Sequence, residues 1–142
     1  RTQLLIASNM AMQAFVSAGG SGPIHTCSRA ISARLNIPHG LGDGVLISTV
    51  MKAADYHYAP RIVDFAAAFG TKLDGLPPQE YVEATVASLE EFKKQVNIPA
   101  RFPQTLSDED KNALLAQVFG DILGFRFLPG RMDQILELSF SH

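Results

Sequence analysis

Apolar residues recur at three- and four-residue spacing along most of the chain, which is the spacing of one face of an α-helix. The pattern predicts helices over residues 2–17, 23–36, 41–57, 60–70 and 77–97, a helix after Ser107, and a last helix over residues 131–140. No segment of useful length alternates apolar and polar residues with period two, so we predict no sheet. These elements, joined by short loops, predict an all-α helical bundle formed by residues 1–142 as a single domain.

The first predicted helix is unusually apolar. Residues 2–28 contain no Asp, Glu, Lys or Arg, so a membrane span has to be considered. Polar residues interrupt the run at Gln3, Ser8, Asn9, Gln13 and Ser17, and the glycine-rich residues 19–22 end it. We therefore expect a helix buried inside a soluble protein and not a membrane span.

For two other helices the pattern predicts which residues are buried, and for one of them also which residues face solvent. In the helix over residues 41–57 the residues expected to face inward are Val45, Leu46, Val50 and Met51. In the helix over residues 77–97 the expected apolar stripe is Val82, Val86, Leu89 and Val96, and the expected solvated face is Glu90, Glu91, Lys93 and Lys94.

Composition narrows the class of protein. The chain has 142 residues, of which 46% are hydrophobic, and a formal net charge of −2. Basic and acidic residues are interspersed over most of the chain, so we expect no nucleic-acid partner and no anionic membrane partner. A homo-oligomer is compatible with this composition. The single cysteine, Cys27, excludes an internal disulfide, is expected to be a small buried hydrophobe, and fits a reducing compartment. With no signal peptide, this predicts a cytoplasmic protein. A chain that does not begin with Met is expected to be a fragment or a processed product.

The candidate chemistry lies between Gly22 and Gly40, in GPIHTCSRAISARLNIPHG. His25 lies near the start of a helical run, and His39 follows the break that Pro38 makes. A turn at that break can fold His39 back beside the helix that carries His25. Two imidazoles that meet in this way form half of a transition-metal site, although histidines in a helical domain are more often ordinary polar or core residues. Asp43, four residues after His39, is either an acceptor that orients an imidazole or simply an acid near a helix N-terminus.

His25, thirteen intervening residues, Pro38-His39-Gly40 and then an apolar helix form a pattern that resembles the iron-containing alcohol dehydrogenase family. The lead-in LLIASNMAMQAFVSAGGSGPIH and the following HGLGDGVLISTVMKA are similar to that family as well. The resemblance implies that His25 and His39 are metal ligands, for Fe²⁺ or Zn²⁺, in a helical C-terminal domain. It also implies hydride transfer between a small alcohol or aldehyde and NAD or NADP, with the nicotinamide cofactor held by a separate N-terminal domain.

Two residues depart from the family pattern. Arg29 stands where the family usually has a further histidine, and Ser32 stands where it usually has a glycine. Arg29 shares a helical face with His25. A guanidinium there stays charged, cannot relay protons near neutral pH, and disfavours a nearby cation.

Other parts of the family pattern do not occur in this chain. The family takes two further ligands from an Asp and a His four residues apart, but the residues four before each histidine are Ser21, Leu35, Ala53 and Leu138. No strand, glycine-rich turn and helix follow one another as a dinucleotide site requires. We therefore expect the C-terminal part of a metal-binding domain without its dinucleotide-binding domain. By itself it should bind metal weakly through two imidazoles, and it should not reduce an aldehyde.

Three interpretations stay open on the sequence. The first is an oxidoreductase fragment whose parent enzyme carries out alcohol and aldehyde chemistry. The second, favoured by Arg29, is a non-catalytic helical module that has kept the architecture and lost the metal chemistry. The third is another metal enzyme of similar fold, a relative of glycerol dehydrogenase or dehydroquinate synthase, with the same histidines and a different substrate.

Overall fold

The computed structural model describes residues 1–122, 126 and 128–141, so His142 lies outside the described residues. The predicted all-helical architecture is confirmed. The α-helices are α1 (Thr2–Ser17), α2 (Pro23–Leu35), α3 (His39–Ala53), α4 (Asp55–Tyr58), α5 (Ile62–Ala68), α6 (Tyr81–Gln95), α7 (Asp108–Gly120) and α8 (Met132–Ser139). Short 3-10 turns at Ala59–Arg61 and Pro78–Glu80 lead into α5 and α6. Among the described residues, no helix has both the length and the apolarity needed to cross a membrane.

Helix ends follow from local chemistry. Asn36 adopts φ 52° directly after α2, a left-handed conformation that asparagine tolerates and that ends a helix. Pro38 then precedes α3, which begins at His39. Ser107 caps α7, because its Oγ accepts a hydrogen bond from the backbone N–H of Asp110 at 3.1 Å. The predicted helix over residues 41–57 is broken at Ala54, where φ is −117° and ψ is 42°.

Helix α3 lies at the centre of the bundle. It packs against α2 on one side and against α6 and α8 on others. The four residues predicted to face inward are all fully buried: Val45, Leu46, Val50 and Met51. Because α3 is packed on several sides, its position in the bundle is fixed. Its first residue, His39, is therefore held in a defined place.

The predicted burial of α1 is wrong. No residue of α1 is buried, and six large apolar side chains are 56–74% exposed: Leu4, Leu5, Ile6, Met10, Met12 and Val16. The side chain of Phe15 is partly covered, with its ring edge-on to the His25 ring at a centroid distance of 5.3 Å. Burying an apolar helix face lowers the free energy, but burial needs another element to pack against it. The described residues do not supply enough of one.

The prediction of no sheet is also wrong, although only at one point. Strands β1 (Phe102–Thr105) and β2 (Phe140–Ser141) pair in parallel. Their rings meet at Phe102 and Phe140, with centroids 4.8 Å apart, and both side chains are buried. Strands of four and two residues are too short to show a period-two pattern, so the pairing depends on tertiary contacts that join distant parts of the chain.

Two residues of the predicted helix over residues 77–97 also differ from the prediction. Lys93, expected on the solvated face, is 2% exposed, whereas Val96, expected in the apolar stripe, is 46% exposed. Lys93 follows Leu89 by four residues and therefore lies on the buried side of the helix. Its ammonium group donates hydrogen bonds to the carbonyl oxygen of Val45 at 3.3 Å, to Ser48 Oγ at 3.4 Å and to Glu90 Oε1 at 2.9 Å. Those partners come mainly from α3, which local sequence cannot show.

Close approach of α2 and α3 depends on Gly42. A Cβ atom at Gly42 would lie 2.7 Å from Ser28 Oγ and 2.9 Å from Ser32 Oγ, closer than carbon and oxygen tolerate. The absence of a side chain at Gly42 therefore allows the two helices to pack closely. By contrast, a Cβ at Gly40 would meet nothing within 4 Å.

We expect Gly42→Ala to lower the free energy of unfolding by about 1–3 kcal/mol, because the added methyl group overpacks a closed helix contact. Gly40→Ala, in the same helix, should be neutral or stabilising by up to about 1 kcal/mol. Chemical denaturation monitored by circular dichroism measures both. Introducing Gly42→Ala into a Ser28→Ala/Ser32→Ala background should cost much less, since the nearest remaining contact is Ser28 Cβ at 3.7 Å. An equal cost in both backgrounds would contradict the steric explanation.

Candidate metal centre

The corner between α2 and α3 brings His25 and His39 together, as the spacing around Pro38 predicted. Nε2 of His39 lies 3.2 Å from Nδ1 of His25. The two rings meet edge to face, with centroids 4.9 Å apart and an interplanar angle of 79°. The imidazole nitrogens therefore point into one shared space, which is the arrangement that a common ligand needs.

Ser28 orients the His39 ring. Its Oγ lies 3.1 Å from Nδ1 of His39 and donates to the backbone carbonyl of the same residue at 3.2 Å. Ser28 therefore occupies Nδ1 of His39, and Nε2, the other ring nitrogen, faces His25. Ser28 was not singled out from the sequence. The available signal was its position three residues after His25, on the same side of α2.

The surroundings of His25 favour its neutral form. Burial lowers the pKa of His25, and so do the charge of His39 and, least of all, that of Arg29, while Asp43 acts in the opposite direction. A metal-binding imidazole has to be neutral, because the proton and the metal compete for the same lone pair. The electrostatics of the corner therefore keep His25 available as a ligand at neutral pH.

Asp43 belongs to the same cluster. Its Oδ2 lies 3.5 Å from Nε2 of His39. One ligand atom from each of His25, His39 and Asp43 can be chosen so that all three lie within 4.8 Å of one another. The other carboxylate oxygen, Oδ1, is buried and has no hydrogen-bond partner in the described part of the chain. A buried carboxylate oxygen without a partner is an available acceptor for a ligand.

The histidines open onto a cleft of about 580 Å³ between α2 and the C-terminal end of α7. The cleft is lined by both histidines, Arg29, Ser32, Gln117, Asp121 and several apolar side chains. Arg29 lies on the same face as His25, as predicted from their four-residue spacing. Its side chain lines the cleft beside both histidines.

The residues present fit an iron or zinc ion. Two imidazoles and one carboxylate are ligands that Fe²⁺ and Zn²⁺ both accept. The buried, unpartnered Oδ1 of Asp43 and the fixed orientation of His39 are features that such an ion would use. The match to an iron or zinc ion therefore depends on the three side chains His25, His39 and Asp43 and on how they are oriented.

Cys27 is not part of the cluster. Its thiol is fully buried, as predicted, and its Sγ lies 3.6 Å from Sδ of Met132 in α8. The side chain therefore packs α2 against α8, on the side of α2 away from the imidazoles. His57, to which no site role was assigned from the sequence, does not line the cleft.

Comparisons with known proteins agree with this fold. Residues 1–138 match the sequence model of the Fe-containing alcohol dehydrogenase family, C-terminal. The methanol:N,N-dimethyl-4-nitrosoaniline oxidoreductase of Amycolatopsis methanolica is 31% identical over 115 residues, which are 80% of this chain and 26% of that protein. The lactaldehyde reductase of Escherichia coli K12 is 26% identical over 121 residues, 84% of this chain and 32% of that protein. The NAD-dependent methanol dehydrogenase of Bacillus methanolicus is 25% identical over 123 residues, 86% of this chain and 32% of that protein.

The chain thus spans about a quarter to a third of the length of these relatives. The family match covers nearly every described element, from α1 to the last residues of α8. It includes both histidines and the turn that joins them. By its sequence match over residues 1–138, together with its helical fold, the chain belongs to the iron-containing alcohol dehydrogenase family.

Proposed function

We propose that this chain supplies His25 and His39 as metal ligands to an iron-containing, NAD(P)-dependent oxidoreductase that interconverts small alcohols and aldehydes. The observation that carries the proposal is the 3.2 Å approach of His39 Nε2 to His25 Nδ1. The relatives include a methanol oxidoreductase and a lactaldehyde reductase, which supports a small alcohol or aldehyde as substrate. NAD or NADP would be held outside residues 1–142. A buried single cysteine supports a reducing compartment such as the cytoplasm.

A bound Fe²⁺ or Zn²⁺ would act as a Lewis acid toward the substrate oxygen. The chain's own residues prepare the place where this happens. Ser28 holds the His39 ring with Nε2 toward the shared space, burial keeps His25 neutral, and the two helices fix the separation of the imidazoles. The cleft of about 580 Å³ beside them has room for a small substrate.

The second interpretation, a non-catalytic module of the same architecture, is favoured by one observation. Arg29 lines the cleft beside His25 and stays charged near neutral pH. Its charge opposes a cation held by the histidines, so an inactive relative could keep this fold without a metal. The two interpretations differ in whether metal binding depends on the histidines.

Titrating the purified chain with Zn²⁺ by calorimetry, and with Fe²⁺ under anaerobic conditions, tests the proposal. We expect His25→Ala and His39→Ala each to weaken binding by at least about 10–100-fold, the range seen when even an outer-shell partner of a metal is lost. His57→Ala is the matched control and should leave the affinity unchanged. Equal binding by all four proteins would contradict the metal role of the two histidines and support the non-catalytic module.

A further inference from the structure

We propose that Asp43 is the third protein ligand of this metal centre, so that residues 25–43 alone carry a two-histidine, one-carboxylate site. The inference rests on the proposed metal role of His25 and His39 and extends it. From the sequence, Asp43 was interpreted as an acceptor that orients an imidazole, or as an acid near a helix N-terminus. The structure points to a different role.

Distances within the cluster suit a shared ion. Zinc lies about 2.0–2.2 Å from nitrogen and oxygen ligands. Two ligand atoms bound to one ion at right-angled or tetrahedral positions are therefore roughly 2.9–3.5 Å apart. The His25 to His39 separation is 3.2 Å and the His39 to Asp43 separation is 3.5 Å. The three ligand atoms all lie within 4.8 Å of one another, so one ion could be shared once the Asp43 carboxylate turns toward His25.

The orienting role is already taken by another residue. An acceptor that orients a metal-binding histidine has to contact the ring nitrogen that the metal does not use. In His39 that nitrogen is Nδ1, and Ser28 occupies it at 3.1 Å. Asp43 lies beside Nε2, the nitrogen that faces His25. The carboxylate is therefore on the metal side of the ring.

An independent observation is the unsatisfied oxygen of Asp43. Its Oδ1 is buried and without a hydrogen-bond partner in the described part of the chain. A carboxylate oxygen removed from water without a partner is costly, and a cation bound by the carboxylate would offset part of that cost. The four-residue spacing of His39 and Asp43 on α3 places both side chains on one helical face, so the helix itself maintains the pair.

A third ligand changes the expected binding. Two imidazoles alone would hold a divalent ion weakly, whereas two histidines and a carboxylate on one side of the ion form a set typical of non-haem Fe²⁺ sites with open positions. The open positions would face the cleft that Arg29 lines. The chain is then expected to bind a divalent metal more tightly than two imidazoles alone would.

The experiment compares Zn²⁺ affinities by calorimetry for the wild-type chain, Asp43→Asn, Asp43→Glu and His39→Ala. Asp74→Asn, a change of the same charge at an exposed loop residue, is the matched control. We expect Asp43→Asn to weaken binding about 10–100-fold and Asp43→Glu, which keeps a carboxylate, to stay within about tenfold of the wild type. Titration with Co²⁺ gives a second readout, because loss of a ligand changes the visible absorption of the bound ion. Circular dichroism verifies that each variant is folded.

The outcomes separate this inference from the function on which it rests. If His39→Ala abolishes binding while Asp43→Asn binds like the Asp74→Asn control with an unchanged Co²⁺ spectrum, Asp43 is not a ligand and the two histidines still are. If His39→Ala leaves binding unchanged, the proposed metal role of the histidines fails. Loss of affinity in both, with the control unaffected, supports the three-ligand site.

Discussion

Lys93→Ala is expected to lower the free energy of unfolding by about 3–5 kcal/mol, the largest stability effect that we predict for any charged residue of this chain. The side chain is 2% exposed, so truncation leaves a cavity between α6 and α3. It also removes the donor from the Val45 carbonyl, Ser48 and Glu90. Buried acceptors without a donor are destabilising, and that cost adds to the cavity.

The neighbouring residue supplies the control. Lys94 makes an ion pair of the same i, i+3 geometry with Glu91 at 3.1 Å, but its side chain is 72% exposed. Lys94→Ala should therefore cost less than about 1 kcal/mol. Lys93→Met keeps the buried volume and should cost no more than about 1–2 kcal/mol, since an apolar chain of similar size avoids burying a charge. Denaturant unfolding of the three variants measures these differences. Equal effects of Lys93→Ala and Lys94→Ala would mean that Lys93 lies in solvent, as the sequence pattern suggested.

The Lys93–Glu90 ion pair is expected to make the stability of the fold depend on pH. Burial acts to raise the pKa of Glu90, but hydrogen bonds from Ser48 and Lys93 and the charges of Lys93 and Lys52 outweigh it, so the pKa lies below its usual value. A depressed carboxyl pKa contributes stability above the pKa of the unfolded chain, and that contribution is lost as the pH falls through the folded pKa. The stability advantage of wild type over Lys93→Met should therefore shrink on acidification.

Cys27 is expected to react with thiol reagents at least about 1000-fold more slowly in the folded chain than in the denatured chain at pH 8. Burial raises the pKa of the Cys27 thiol to about 12, from about 9 for an exposed thiol. Because the thiolate is the reactive form, this difference alone lowers the reactive fraction by about three orders of magnitude. The fully buried Sγ, packed against Met132, also excludes the reagent.

Labelling kinetics with a chromogenic disulfide reagent, in buffer and in concentrated guanidinium, measure this protection. The control is Ser17→Cys in a Cys27→Ala background, which places a thiol at an exposed residue of α1 and should react at similar rates in both conditions. Fast labelling of Cys27 in the folded chain would show an accessible thiolate. It would then reopen a role for this residue as nucleophile or ligand.

Much of the helical framework could be predicted from local patterns. Prolines, the Ser107 cap and the apolar spacing in α3 each act within a few residues, so their effects can be read along the chain. The turn at Pro38 is also a local effect that can be predicted from the sequence. A break there followed by a helix leaves few ways for His39 to lie other than beside α2, and the structure places it 3.2 Å from His25.

The site needed more than spacing. Asp43 was recognised as near His39, but its place on the metal side of the ring depends on which imidazole nitrogen Ser28 occupies. That contact joins α2 to α3 across the close approach at Gly42. Whether Ser28 reaches His39 depends on how two helices pack, and residue types alone do not specify the distance between helices.

The sequence by itself determined the helices, the turn that brings the two histidines together and, through its resemblance, the family. The tertiary structure alone decided which surfaces are covered. Lys93 is buried because α3 offers a carbonyl and a hydroxyl to its ammonium group, and α1 is exposed although its composition is apolar. The physical reason is that helix formation follows from interactions between near neighbours, whereas burial and hydrogen-bond partners depend on residues far apart in the chain.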